Sequence, residues 1–148
     1  MNLRVVWVGK TKNPQLTKLC SDYFSRIEHF LPLDIVEVKE PKGGMEAEAG
    51  NIIAALGPSD RVVVLDPQGK SWSSRQLATF VQKHMNSDSR PLTFVIGGHE
   101  GLSERVKERA EILWSLSPLT FTHDLTRVLL LEQLYRALTI IRNLPYSR

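Results

Sequence analysis

A single cysteine, Cys20, stands in the 148 residues. One thiol makes no intrachain disulfide framework and furnishes no cysteine-rich zinc site, so the chain suits a reducing compartment. Long apolar runs are missing as well. None approaches the roughly 18 residues that a membrane-spanning helix needs, and no membrane role is expected. The opening stretch Met1–Gly9 is short and strand-like, unlike a signal peptide, so the expected location is cytoplasmic. Charge of one sign is also scarce: 19 basic against 16 acidic residues leave a net charge of +3. That permits an anionic partner without demanding one, and no dense basic cluster marks a dedicated nucleic-acid-binding face. Neither the G-x-G-x-x-G fingerprint nor the Gly-Lys-Ser/Thr of a phosphate-binding loop occurs. His99-Glu100 opens a zinc-protease pattern, but Ser103 stands where its second histidine belongs, so no metal is expected. Apolar residues at 42% and charged residues at 24% exclude a disordered chain.

What is present is an alternation of two hydrophobic periods. Leu3–Val8, Leu33–Val38, Arg61–Leu65, Leu92–Ile96 and Ile112–Leu116 are short runs rich in β-branched and aromatic residues, and they predict buried strands. Between them, apolar residues recur three and four apart. Asn13-Pro14 predicts a helix start, with Leu16, Leu19, Cys20, Tyr23, Phe24, Ile27 and Phe30 on one stripe and Pro32 beyond its end. Met45, Ala49, Ile52, Ile53 and Leu56 form a second stripe before Gly57-Pro58. The segment Asp66–Lys70 reads as a turn. Ser73 with Gln76 then has the spacing of a capping box ahead of Leu77, Phe80 and Val81. A short charged helix covers Ser103–Ala110, and Thr122 caps a last helix. Strand then helix, repeated without a linker or an internal repeat, predicts one α/β domain over residues 1–148, a mostly parallel sheet with helices on both faces. The last helix is apolar on more than one side, since Leu130, Leu131, Leu134 and Ile140 lie off its main stripe. That predicts burial from several directions, with a second copy of the chain as one cover.

In open α/β sheets, ligands bind outside the carboxyl ends of the strands. This rule singles out Leu65–Lys70, Gly97–Leu102 and Leu116–Phe121. The middle loop is rich in glycine, as close approach of backbone to ligand requires, although a plain strand-to-helix turn reads the same. His29 and His84, near helix ends, are expected at the surface. His123 opens the last helix, where a protonated imidazole would oppose the dipole; a local hydrogen-bonding role fits it as readily as a catalytic one. Spacing alone assembles no set of nucleophile, base and orienting group. From the residues themselves, the chain is an α/β protein with a small-molecule site at three converging loops.

Those loops also carry a likeness. Phe94-Val95-Ile96-Gly97-Gly98-His99-Glu100-Gly101-Leu102 resembles the FVIGGxxGL segment of the RlmH family. Trp114-Ser115-Leu116-Ser117-Pro118-Leu119-Thr120-Phe121, followed by His123, is similar to its LSLSxxTFxH segment. Arg127–Ala137 is similar to RVLLxEQLYRA, and Pro145-Tyr146 fits the tail. Val8-Gly9-Lys10, Leu65-Asp66 and Gly69-Lys70 extend the likeness over nearly the whole chain. On these segments it is identified as a member of that family of ribosomal RNA methyltransferases, within the SPOUT class. The resemblance implies a C-terminal trefoil knot, a homodimer and S-adenosyl-L-methionine bound at the knot. It also implies N3-methylation of a pseudouridine in 23S rRNA, on assembled ribosomes.

By the same resemblance, Leu65, Gly97, Leu116, Ser117, Pro118, Leu119, Thr120 and Phe121 hold the cofactor, although the apolar ones would serve equally as core. Tyr146 and Arg148 are expected to position the target base. His123 is a third catalytic candidate, and the proton acceptor is left open. Lys10, Lys12, Lys70 and Arg142 are expected to touch RNA, though exposed lysines are common and Arg142 also suits a helix C-terminus. Three positions depart from the family pattern: Ser147 replaces the usual tail histidine, Asp124 a glutamine, and His99 a proline or small residue. Two other readings use the same segments. One is a SPOUT enzyme acting on another RNA such as tRNA; the other is a ribosome-binding factor without catalysis, with the altered tail as its sign.

Overall fold

The computed structural model describes residues 1–99 and 101–146. Its strands are β1 (Leu3–Val8), β2 (Leu33–Val38), β3 (Arg61–Ser71), β4 (Leu92–Ile96) and β5 (Ile112–Ser115). They form one sheet in the order β2-β1-β4-β3-β5, with every pairing parallel. The helices are α1 (Pro14–Glu28), α2 (Gly44–Ala55), α3 (Ser74–Ser87), α4 (Glu104–Arg109) and α5 (His123–Ile141).

Side-chain alternation sorts the strand residues into two cores. Leu3, Val5 and Trp7 of β1 and Leu92, Phe94 and Ile96 of β4 turn toward α1, α3 and α5. Val6, Val8, Val62, Val64 and Val95 turn the other way, toward α2 and α4. The bulkier strand residues thus face the three-helix layer, together with Val5 and Val63, and the thinner layer meets valines. Because both faces are covered, the inner strands β3 and β4 read in sequence as nearly unbroken apolar runs rather than as alternating ones.

The helix starts are as the sequence predicts. Asn13 accepts from the Gln15 and Leu16 N–H groups, and Ser73 and Gln76 close a reciprocal capping box. Three expectations need correction. Leu130, Leu131 and Leu134 are at most 1% exposed within one chain, covered by α1, α3 and the sheet, so no second copy is needed to bury them. His84 is not at the surface but fully buried: its Nε2–H donates to the Arg90 carbonyl at 2.8 Å, and Nδ1 accepts from Arg61 Nη1 at 3.3 Å. Finally, β3 continues through the expected turn to Ser71. Leu65 and Lys70 both pair with Trp114 of β5, and the residues between them bulge out of the ladder.

At the opposite end of the sheet from the loops discussed below, Asp60 is 6% exposed and ties three elements together. Its Oδ2 accepts from Arg4 Nη1 at 2.6 Å, from the Gly57 N–H at 3.0 Å and from Thr93 Oγ1 at 3.0 Å.

Candidate functional site

The chain leaves β1 and β4, which are neighbours, in opposite directions: β1 leads to β2 at one edge and β4 to β5 at the other. Such a divergence opens a crevice at the carboxyl ends of the strands. Two cavities lie there. The first, of about 400 Å³, is lined by Leu65, Asp66 and Pro67 of β3, by the loop after β4 and by the loop after β5. The second, of about 670 Å³, lies against the end of β1 and the start of α1, with Lys10, Lys12, Glu40, Asp124 and Arg127 in its wall. Gly98, His99, Thr120, Phe121 and His123 line both, so the two hollows share a wall.

Two histidines dominate that wall. The rings of His99 and His123 meet edge to face with centroids 4.5 Å apart. Burial first, then the neighbouring His99 and Arg127, hold the His123 imidazole below its ordinary titration range, against the opposing pull of Asp124 and the Gly97 backbone. His123 is therefore a neutral ring at neutral pH, able to accept a proton.

The glycine loop is held from the far face of the sheet. Glu48 of α2 is only 4% exposed, and its Oε1 accepts from the Gly98 N–H at 3.0 Å. A Cβ on Gly98 would meet that carboxylate, so a larger residue there would have to push Glu48 off the loop. Gly101, at φ +81°, turns the loop so that its N–H donates to the Gly98 carbonyl at 3.2 Å. In the loop after β5, Ser117 Oγ accepts from the Leu119 N–H at 3.0 Å, a local turn that leaves Leu119 70% exposed on the cavity wall. Buried Asp66 faces Lys107 Nζ at 3.7 Å, so the one lysine of the first cavity has an acidic partner.

Leu65, Gly97, Leu116, Ser117, Leu119, Thr120 and Phe121 come together around the first cavity, while Pro118 does not line it. Lys10 and Lys12 line the second. Lys70, exposed on the outer part of β3, and Arg142, which caps α5 with its guanidinium 5.8 Å over the Phe30 ring, line neither. Tyr146 lies elsewhere. Its hydroxyl donates to Glu132 Oε2 at 2.9 Å and pairs with the Tyr23 hydroxyl at 3.1 Å, and its ring sits edge-on to Tyr135. Burial and those two hydrogen bonds push its phenol above the usual range, which makes it a donor rather than a base. Glu132 follows His123 by nine residues on α5, about 13 Å along the helix axis. Arg148, Ser147 and Glu100 lie outside the described residues.

Sequence reasoning missed Glu48, Lys107, the role of Arg127 and the second cavity itself. A lone arginine within the apolar stretch of α5 was an available signal for Arg127. Glu48 sits in an ordinary charged helix start and gives none.

Comparison with known proteins accords with this architecture. A family model described as "Predicted SPOUT methyltransferase" matches residues 1–147. A protein of Trichlorobacter lovleyi named "Ribosomal RNA large subunit methyltransferase H" is 41% identical over 151 residues, 99% of each chain. Proteins of the same name from Flavobacterium johnsoniae and Gloeobacter violaceus are 38% and 35% identical, each match covering 99% of this chain and 98% of the other. The crystal structure of a "Probable Methyltransferase" from Bordetella pertussis Tohama I superposes with a TM-score of 0.58 over 92% of this chain and 93% of that one; at 17% identity it speaks for the fold. The chain belongs to the SPOUT methyltransferase family, among relatives that carry the name ribosomal RNA large subunit methyltransferase H.

Proposed function

We propose that the chain transfers a methyl group from S-adenosyl-L-methionine to N3 of a pseudouridine in 23S rRNA, on assembled ribosomes. The observation that carries this reading is the shared wall: a cavity suited to a methyl donor stands next to a second one suited to a nucleotide, with a neutral histidine between them. The residues of the first cavity fit the donor. Leu65, Ile96, Leu102, Leu116, Leu119 and Phe121 offer apolar walls to a flat heteroaromatic ring, and Asp66, Ser117 and Thr120 offer a few polar groups. An added Cβ on Gly97 would press into Leu102, so the backbone itself faces the hollow. When bound, S-adenosyl-L-methionine supplies a methyl group already activated by its sulfonium.

The protein's part is positioning and proton handling. The first cavity fixes the donor against the common wall, and orientation of this kind contributes several kcal/mol of rate acceleration. Methylation of an imide nitrogen releases its proton, and the ring of His123 accepts it. Tyr146 and Arg148 orient the target base. Tyr146 is anchored at Glu132, about 13 Å along α5 from His123, so on this reading it serves the cavity of a partner in a homodimer. Leu19 and Leu125, exposed apolar residues on the packed pair α1 and α5, support such a dimer. The C-terminal trefoil knot is part of this reading through the family likeness alone. Among the described residues no helix is long and apolar enough to cross a membrane.

Labelled methyl transfer tests the reading with three substrates: assembled ribosomes lacking the modification, free large subunits, and bulk tRNA. Label mapped to a pseudouridine N3 of the assembled ribosome is the expected outcome. Label on tRNA would overturn the target, and no label with the donor still bound would overturn the catalytic reading.

A further inference from the structure

Arg127 enters the wall of the second cavity from α5 and is 3% exposed. Its Nη1 donates to Thr11 Oγ1 at 3.0 Å and its Nη2 to the Val8 carbonyl at 2.6 Å, with the guanidinium 4.8 Å over the Trp7 ring. All of these partners are neutral. Among the described residues no carboxylate forms a salt bridge with Arg127, and its Nε is buried without a hydrogen-bond partner. A charge taken out of water in this way calls for an opposite charge nearby. Asp124, Glu37 and Glu40 act on it only at longer range, and the Asp124 Oδ2 already accepts from the N–H groups of Lys12 and Asn13 at 2.9 Å each.

More positive potential converges on the same hollow. Lys10 and Lys12 line it, both exposed and neither in a salt bridge among the described residues. The 15-residue α1 and the 19-residue α5 both begin at its rim, at Asn13 and Thr122, so two helix dipoles present their positive ends. Its 670 Å³ exceeds what a phosphate alone requires and accommodates a whole nucleotide.

We propose that the second cavity is a phosphate subsite formed by Lys10, Lys12 and Arg127, which holds the backbone phosphate of the nucleotide to be methylated and so delivers its base to the His99–His123 wall. The phosphate chemistry follows from the cavity; its assignment to RNA rests on the methyl-transfer reading above.

Inorganic phosphate is titrated into the ¹⁵N-labelled full chain and followed by NMR. The expected result is saturable shifts at the amides of residues 10–13 and 123–127 and at the Arg127 Nε–H signal. Because Arg127 variants risk misfolding, the comparison uses the exposed pair, Lys10→Gln with Lys12→Gln. Phosphate binding should weaken about tenfold, the loss of roughly one charge-assisted hydrogen bond. The same double variant should raise KM for undermethylated ribosomes and flatten the salt dependence, while calorimetric affinity for S-adenosyl-L-methionine stays as it was. Scattered or non-saturating shifts, or binding unaffected by the double variant, would overturn the subsite. Phosphate binding that weakens while KM for ribosomes stays fixed would overturn its assignment to RNA. If the unmodified protein methylates no RNA yet binds phosphate as described, the methyl-transfer reading fails and the anion site stands.

Discussion

Removal of the Glu48 side chain tests how the first cavity is held in shape. In Glu48→Ala the Gly98 N–H, which now donates to a buried carboxylate at 3.0 Å, loses its acceptor inside the protein. An orphaned buried donor costs about 1–3 kcal/mol. The cheapest relief is local, since residues 97–101 join β4 to α4 and can swing outward until water reaches the amide. The donor must then pull the loop back when it binds. On the reading that the first cavity holds S-adenosyl-L-methionine, a reorganisation of about 2 kcal/mol should weaken its binding roughly 30-fold. Glu48→Gln keeps an acceptor oxygen of the same reach and loses only the charge assistance. About half the bond strength remains, and the weakening should be roughly fivefold. Isothermal calorimetry with the donor, paired with thermal unfolding of the free protein, separates a loosened loop from a loosened fold. If the alanine and glutamine variants bind the donor as tightly as the parent, Glu48 does not position the loop. If both lose global stability to the same extent with affinity intact, its role is in the core.

Other perturbations follow from the same geometry. Asp60→Ala removes the acceptor shared by Arg4, Thr93 and the Gly57 N–H, while Arg4 keeps Asp34 and the Ala55 carbonyl, and should cost about 2–3 kcal/mol in denaturant unfolding, with donor affinity preserved because the network lies at the other end of the sheet; a cost under about 1 kcal/mol would show that the network is dispensable. Leu119→Ser removes an apolar surface that is 70% exposed until a ligand covers it, so donor affinity should fall roughly tenfold while thermal stability hardly changes. The depressed titration of His123 means that the unfolded chain takes up a proton the folded site resists. The contribution is intact above the ordinary imidazole value of 6.5 and is lost as pH falls below it, so stability should decline more steeply with acid in the parent than in His123→Asn. Identical slopes would remove His123 from the account.

How far the sequence speaks for this molecule varies with the range of the forces involved. The inner strands were legible because both their faces are covered, which leaves runs such as Val62–Leu65 with no polar interruption, whereas edge strand β2 exposes Asp34 and Glu37. Helix starts were legible because a cap is a local hydrogen bond, as at Ser73 and Gln76. The loops of the first cavity were legible because they follow strand ends. The extension of β3 was not: Asp66-Pro67-Gln68-Gly69 carries turn chemistry and does bulge, but pairing with distant Trp114 resumes at Lys70. His84 escaped for a similar reason, since its partners Arg61 and the Arg90 carbonyl come from outside its helix. The covers of Leu130 and Leu131 were misjudged because a periodic stripe says that a face is buried, not by which chain. Glu48 and Arg127 gain their meaning only when α2 and α5 are laid against the ends of β4 and β1.

The shared wall has a thermodynamic corollary. An occupant of either cavity that shifts His99, Phe121 or His123 alters the shape offered to the other occupant, since the same residues line both. Linkage then requires reciprocity: whatever factor the first occupant imposes on the affinity of the second, the second imposes on the first. Asp124 extends that coupling mechanically, because its carboxylate binds the amides of Lys12 and Asn13 and so ties the start of α5 to the start of α1. A protein built this way senses whether its two hollows are filled together, and release of one occupant changes the grip on what remains.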